Sequence, residues 1–135
     1  MNKKEKVMRR LEIPLKTDII SSLQAGDMVL ISGEVYTARD VAHRRLYEAL
    51  LKGEKLPIDL KAAVIFYAAP APTPPGKIIG SIGPTTSYRM DFFTPKLIEN
   101  GLKGMIGKGG RSAEIVAALK KYGAVYFGAI GGIAA

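Results

Sequence analysis

Two cations and three glycines fall within the six residues Gly107-Lys108-Gly109-Gly110-Arg111-Ser112. Glycine lets a backbone approach a ligand closely, and a helix start offers free N–H groups and the positive end of its dipole. A helix predicted from Ala113 aims that end at this turn, so the segment suits a carboxylate or a phosphate. It is not a Walker A loop, because Leu102 stands where the first glycine belongs and Gly109 where a magnesium-binding Ser or Thr belongs. It half-matches a dinucleotide fingerprint with Ser112 in the third glycine place, but no acidic residue follows Glu114 to hold a ribose. A tight connection with solvated cations remains an equally open reading.

Two further segments could do chemistry. Gly83-Pro84-Thr85-Thr86-Ser87-Tyr88-Arg89-Met90-Asp91 places three hydroxyls and an arginine after an expected strand, where open α/β sheets bind ligands. Its plainer reading is a capped turn with Arg89 paired to Asp91 or facing solvent. Thr37-Ala38-Arg39-Asp40 opens a helix with a cation set against the helix dipole, which hints at a bound anion or a partner's acid; in isolation it reads as a surface arginine. His43 follows one turn later, a position where packing or hydrogen bonding is the commoner role. Arg39, Thr85, Arg89 and Lys108 amount to a site only if the fold gathers them.

Composition narrows what such a site can be. The 135 residues contain no cysteine and one histidine, which excludes disulfides, a thiolate nucleophile, a cysteine-held cluster and any metal site built on two imidazoles. Twenty Lys and Arg against twelve Asp and Glu give a net charge of +8, so an anionic partner is expected. With 47% hydrophobic and 24% charged residues the chain reads as an ordinary globular domain. The longest uncharged stretch towards the C-terminus, Gly123–Ala135, has 13 residues, short of the ~20 a spanning helix needs. The basic N-terminus has no apolar run behind it, so no signal peptide is expected and the default compartment is cytoplasmic.

The elements that must position these residues follow from patterning. Residues 1–12 read as a loose basic lead-in and residues 13–135 as a single domain. Met28–Ile31 reads as a buried strand. Thr37 caps a helix running to Gly53, with Ala42, Leu46, Ala49 and Leu50 as its apolar stripe. Ala62–Tyr67 is expected to be a strand covered on both faces, followed by a stiff Pro-rich loop at 70–76 in which a cis proline is plausible. Lys77–Ile82 reads as another strand, and helices are predicted over Pro95–Asn100 and Ala113–Tyr122. The second of these carries Ile115, Val116 and Leu119 on one side. Short strands follow at Lys103–Ile106 and Ala124–Ile130. The alternation predicts a mixed α/β fold with a partly parallel sheet in the second half and some antiparallel pairing in the first.

Taken together, Ser32-Gly33-Glu34-Val35-Tyr36-Thr37-Ala38-Arg39-Asp40-Val41-Ala42-His43, Gly83 to Asp91, Ile106-Gly107-Lys108-Gly109 and Gly131-Gly132-Ile133-Ala134-Ala135 resemble the β subunit, or C-terminal domain, of class I fumarate hydratases. L-tartrate dehydratase β subunits are close relatives. The resemblance runs from about Pro14 to Ala135 and implies a swivelling β/β/α domain. It implies a hydro-lyase that interconverts (S)-malate and fumarate, active only with an α subunit whose three cysteines hold a four-iron four-sulfur cluster. This chain would bind no cofactor itself and would join a heterotetramer or larger assembly. Arg39, Arg89 and Lys108 match the positions that grip substrate carboxylates, and Thr85 the proposed base. Thr86, Asp40, His43, Gly107 and Gly109 match residues beside them.

Two departures from the family pattern stand out. Family members usually continue past the Gly-Gly-x-Ala-Ala segment, and Tyr88 is bulkier than the small residues common at its place. A basic nucleic-acid-binding module is the alternative of another class. The scattered cations and 7% aromatic content argue against it.

Overall fold

The computed structural model describes residues 8–129, so the Gly-Gly-x-Ala-Ala segment and Lys3, Lys4 and Lys6 lie outside the described residues. The strands are β1 (Arg9–Glu12), β2 (Val29–Ser32), β3 (Tyr36–Thr37), β4 (Val64–Phe66), β5 (Gly104–Gly107) and β6 (Val125–Gly128). The helices are α1 (Thr17–Ser22), α2 (Asp40–Lys52), α3 (Thr94–Glu99) and α4 (Ala113–Tyr122), with a 3₁₀ turn at Ser87–Met90. β3, β4, β5 and β6 form one sheet in that order, and β1 pairs with β2 in a second. Every ladder among the described strands is parallel.

Period-two side-chain alternation divides the four-stranded sheet between two cores. Ile65, Met105 and Tyr126 face a cluster with Leu46, Leu97, Ile98 and Leu102, contributed by α2, α3 and their flanks. Val64, Ile106, Val125 and Phe127 face Leu11, Leu15, Ile20, Val29 and Ile31 of the small sheet and α1. The result is a mixed α/β fold with a small sheet, a larger sheet and helices in successive layers.

Several expectations are corrected. Arg9–Glu12 is not loose: it pairs with Val29–Ser32, because Leu11 fills the second core and is 3% exposed. Antiparallel pairing does not occur among the described residues of the first half, since α1 separates β1 from β2 and α2 separates β3 from β4, and each helix serves as a parallel crossover. Lys77–Ile82 forms no strand. Both edges of β4 are occupied, by β3 and β5, and Ile78 and Ile79 lie exposed. β2 is half-buried rather than buried, with Leu30 facing solvent. Val116 on α4 is also exposed, leaving Ile115 as its buried anchor. The one cis peptide bond among the described residues is Ile13–Pro14, not one in the 70–76 loop.

Candidate functional site

Parallel strands bring their C-terminal ends to one edge, and each candidate segment leaves or meets the sheet there. β3 ends at Thr37, and the Ala38 N–H donates to the Phe66 carbonyl at 3.0 Å, which carries the extended backbone through Arg39. Thr37 therefore belongs to the strand and does not cap α2. Arg39 takes the N-cap position, without a side-chain cap, and Asp40 opens the helix. On the neighbouring strand the Tyr67 N–H donates to Ile106 at 2.8 Å. The loop after Gly83 then wedges between the ends of β4 and β5. Thr85 N–H donates to the Tyr67 carbonyl at 2.7 Å and its own carbonyl accepts from Lys108 N–H at 3.2 Å. Thr86 bridges Lys108, whose carbonyl accepts from Ser87 N–H at 2.9 Å.

The structure thus brings the backbones of Arg39, Thr85, Thr86 and Lys108 to one edge of one sheet. Arg89 joins them from the 3₁₀ turn, where its Nη2 donates to Asp40 Oδ1 at 2.9 Å. The plainer expectation that Arg89 pairs with Asp91 is not met. Arg39, Arg89 and Lys108 are exposed and Thr85 is half-buried, so cations and hydroxyls open onto the same rim. A Cβ at Gly107 would collide with Ser87 Oγ and come within 2.8 Å of the Tyr67 ring, while Gly109 holds φ +87°. Gly107 is required for close approach and Gly109 for a left-handed turn.

Beneath the rim, His43 is fully buried. Its Nδ1 donates to the Arg39 carbonyl at 2.9 Å, which also accepts the first helical N–H, so the proton sits on Nδ1. Nε2 is left without a partner, with Tyr67 edge-on at 5.2 Å. Burial pushes the imidazole pKa down, with the nearby Arg111 charge adding to the effect against a raising contribution from the Arg39 hydrogen bond. This neutral ring braces the start of α2 and does not reach the rim.

Arg111 is not a second free cation at the start of α4. Its side chain is 2% exposed, and its Nε donates to Asp91 Oδ1 at 2.8 Å. The guanidinium lies between the Tyr67 and Tyr126 rings, 5.1 and 4.8 Å from their centroids, and donates to Thr94 Oγ1. Asp91 Oδ2 accepts the Ser112 N–H at 2.9 Å, and Ser112 Oγ caps α4 by accepting from Ile115. The helix start that looked open to an anion is therefore partly filled by the protein's own carboxylate. Tyr126 is missed by the sequence reading, and Ser87 and Asp91 appear there without these partners, because the partners lie 17 to 39 positions away. A groove of about 730 Å³ lies elsewhere, lined by Ile20, Leu23, Val125, Tyr126 and Phe127, and none of Arg39, Thr85, Arg89 and Lys108 lines it.

The layered α/β chain thus sets exposed cations and hydroxyl-bearing residues at the C-terminal edge of a parallel sheet, the edge where open α/β sheets commonly bind ligands. Comparison with known proteins places it more narrowly: the family description "Fumarase C-terminus" matches residues 1–135, and the chain belongs to that family. It is 40% identical over 134 residues to "Fumarate hydratase class I, aerobic" of Escherichia coli K12, covering 97% of this chain and 24% of that protein. "Fumarate hydratase 2" of Leishmania major is 41% identical over 117 residues, 86% of this chain and 21% of the relative. A protein of Methanocaldococcus jannaschii named "Putative L(+)-tartrate dehydratase subunit beta" is 40% identical over 119 residues, 86% of this chain and 61% of the relative. The chain thus spans about a quarter of the length of the fumarate hydratases it matches.

Proposed function

We propose that this chain is the cluster-free part of a hydro-lyase, supplying the carboxylate-binding cations and the proton-transfer group for reversible dehydration of (S)-malate to fumarate. The observation that carries the reading is the Tyr67–Thr85–Lys108 backbone ladder, which sets a hydroxyl-bearing wedge between strand ends flanked by Arg39 and Lys108, with Arg89 tied across to Asp40. A dicarboxylate needs cations at both ends, and arginine's planar fork accepts a carboxylate bidentately. Asp40 uses one nitrogen of Arg89 and leaves the rest of the fork to a substrate. With no cysteine in the chain, an iron–sulfur cluster would be held by an α subunit or preceding domain, where it would supply Lewis-acid chemistry at the substrate hydroxyl.

In this reading Arg39, Arg89 and Lys108 orient the two carboxylates, and Thr85 Oγ removes the proton from carbon as the hydroxyl departs. A threonine hydroxyl is a very weak base, so Arg89 or Lys108 must stabilise its alkoxide. Gly107 and Gly109 shape the Lys108 turn, Thr86 anchors the wedge, and His43 fixes the Arg39 carbonyl. In the assembled enzyme Thr85→Ala should lower kcat by about 10²–10⁴-fold with little change in KM. Unchanged turnover removes Thr85 from the mechanism. The tartrate dehydratase relative supports L-tartrate as the second substrate to assay. Turnover of tartrate with none of malate overturns the substrate assignment, and individually dispensable Arg39, Arg89 and Lys108 overturn the site.

A further inference from the structure

We infer that Asp91 and Arg111, together with Tyr126, are positioning residues that bolt the Lys108 turn to the Arg89 turn, so that the two cations keep a fixed separation. The inference rests on the functional reading above and concerns residues that reading leaves without a role.

The turn from Gly107 to Ser112 has three glycines and is exposed from Lys108 to Gly110, and left to itself such a segment samples many conformations. Lys108 is tied to Thr85 and Ser87 through its backbone, and beyond it side chains hold the turn at three points. Asp91, one residue past the 3₁₀ turn that carries Arg89, takes Arg111 Nε on one oxygen and Ser112 N–H on the other, at 2.8 and 2.9 Å. The Tyr126 hydroxyl donates to the Gly109 carbonyl at 2.7 Å and accepts from Ser87 Oγ at 2.8 Å, joining the turn to the segment that holds Thr85 and Thr86. Thr94 and the two tyrosine rings enclose the rest of the guanidinium.

Charge divides the labour. Arg111 is buried and already neutralised by Asp91, so it adds little field at the rim, whereas Lys108, three residues earlier, is exposed. A buried ion pair is a poor source of net stability but a strict constraint on geometry, because its hydrogen bonds are lost if either partner moves. The pair and the tyrosine strap connect residues 107–112 to residues 87–91, to Thr94 and to the Tyr67 and Tyr126 rings, and bond to no side chain of Arg39, Thr85, Arg89 or Lys108. Their effect on catalysis must pass through Lys108 and Arg89. Misplacing a binding group by about 1 Å can cost on the order of a hundredfold in rate.

A double-mutant cycle on the assembled enzyme tests this. Asp91→Asn cannot accept from both Arg111 and Ser112, and Tyr126→Phe removes only the hydroxyl strap, a change that spares the fold if Asp91→Asn does not. Each variant is measured alone and with Lys108→Ala, with malate as substrate. Each single change should lower kcat/KM by on the order of tenfold, and each double variant should lose clearly less than the product of the two single losses. Amide hydrogen exchange at Lys108, Gly109 and Gly110 should quicken in Tyr126→Phe. A merely structural role would multiply the two losses and leave that exchange unchanged, and either result overturns the inference. Lys108→Ala with unchanged kcat/KM would instead overturn the functional reading, and the positioning role with it.

Discussion

A single methyl group at position 107 would strike Ser87 Oγ and the Tyr67 ring, two groups that are themselves fully buried. Gly107→Ala is expected to destabilise the protein by about 1–3 kcal/mol, the range for overpacking, read as a lower midpoint in denaturant unfolding. An unchanged midpoint would mean that the wedge of residues 85–87 can shift freely. His43 carries the pH dependence of folding near neutrality. Burial depresses its pKa below the ordinary 6.5, so an unfolded chain binds a proton that the native ring resists. Its stability contribution is fully present above about pH 6.5 and falls as pH drops through the folded pKa. Since it is the only histidine, His43→Gln should flatten the loss of stability just below pH 6.5. At this scale the sequence was partly legible. The types and motifs of Arg39, Thr85, Arg89 and Lys108 were readable, but Arg89 could pair with Asp91 or solvent on sequence evidence and instead meets Asp40, 49 positions away. No local pattern encodes which carboxylate meets which guanidinium.

Elements with their own stop signals were the legible ones. α2 ends at Gly53 and α4 at Gly123, both in the left-handed region, and α3 starts with proline in its first turn. Elements that depend on a distant partner were not. The charges in Arg9-Arg10-Leu11-Glu12 mask a strand that exists because β2 lies beside it and Leu11 points into the second core. Conversely, Ile78-Ile79 has strand composition but meets no free edge of the main sheet. Leu11→Ala should cost about 2–5 kcal/mol, the range for truncating a buried leucine, although its neighbours look like a solvated tail. A cost below about 0.5 kcal/mol would show that β1 does not contribute to folding. Leu30→Ala, at a solvent-facing position of the neighbouring β2, gives the control, with an effect within about 0.5 kcal/mol.

Over the whole molecule the cations divide by job. Arg9 braces α1 through Ser22 and pairs with Asp27, Arg111 is neutralised inside the fold, and Lys96 pairs with Glu99. A net charge of +8 remains, and Arg39, Arg89 and Lys108 face water at a shared sheet edge. A binding module for nucleic acid would spread phosphate contacts along a surface, so its affinity would fall with a steep power of salt concentration. A dicarboxylate site engages only two negative charges, so its salt dependence should be shallow. In the assembled enzyme, KM for malate should rise only a few-fold between about 0.02 and 0.2 M salt as the Debye length shrinks, while kcat stays nearly constant. Replacing Arg39 by Gln should raise KM and weaken this dependence, whereas replacing Arg9, which belongs to the small sheet and pairs with Asp27, should leave both unchanged. Equal effects from the two arginines would mean that overall charge, and not the local constellation, attracts the substrate. The gathering of candidate residues at one sheet edge would then have no bearing on binding.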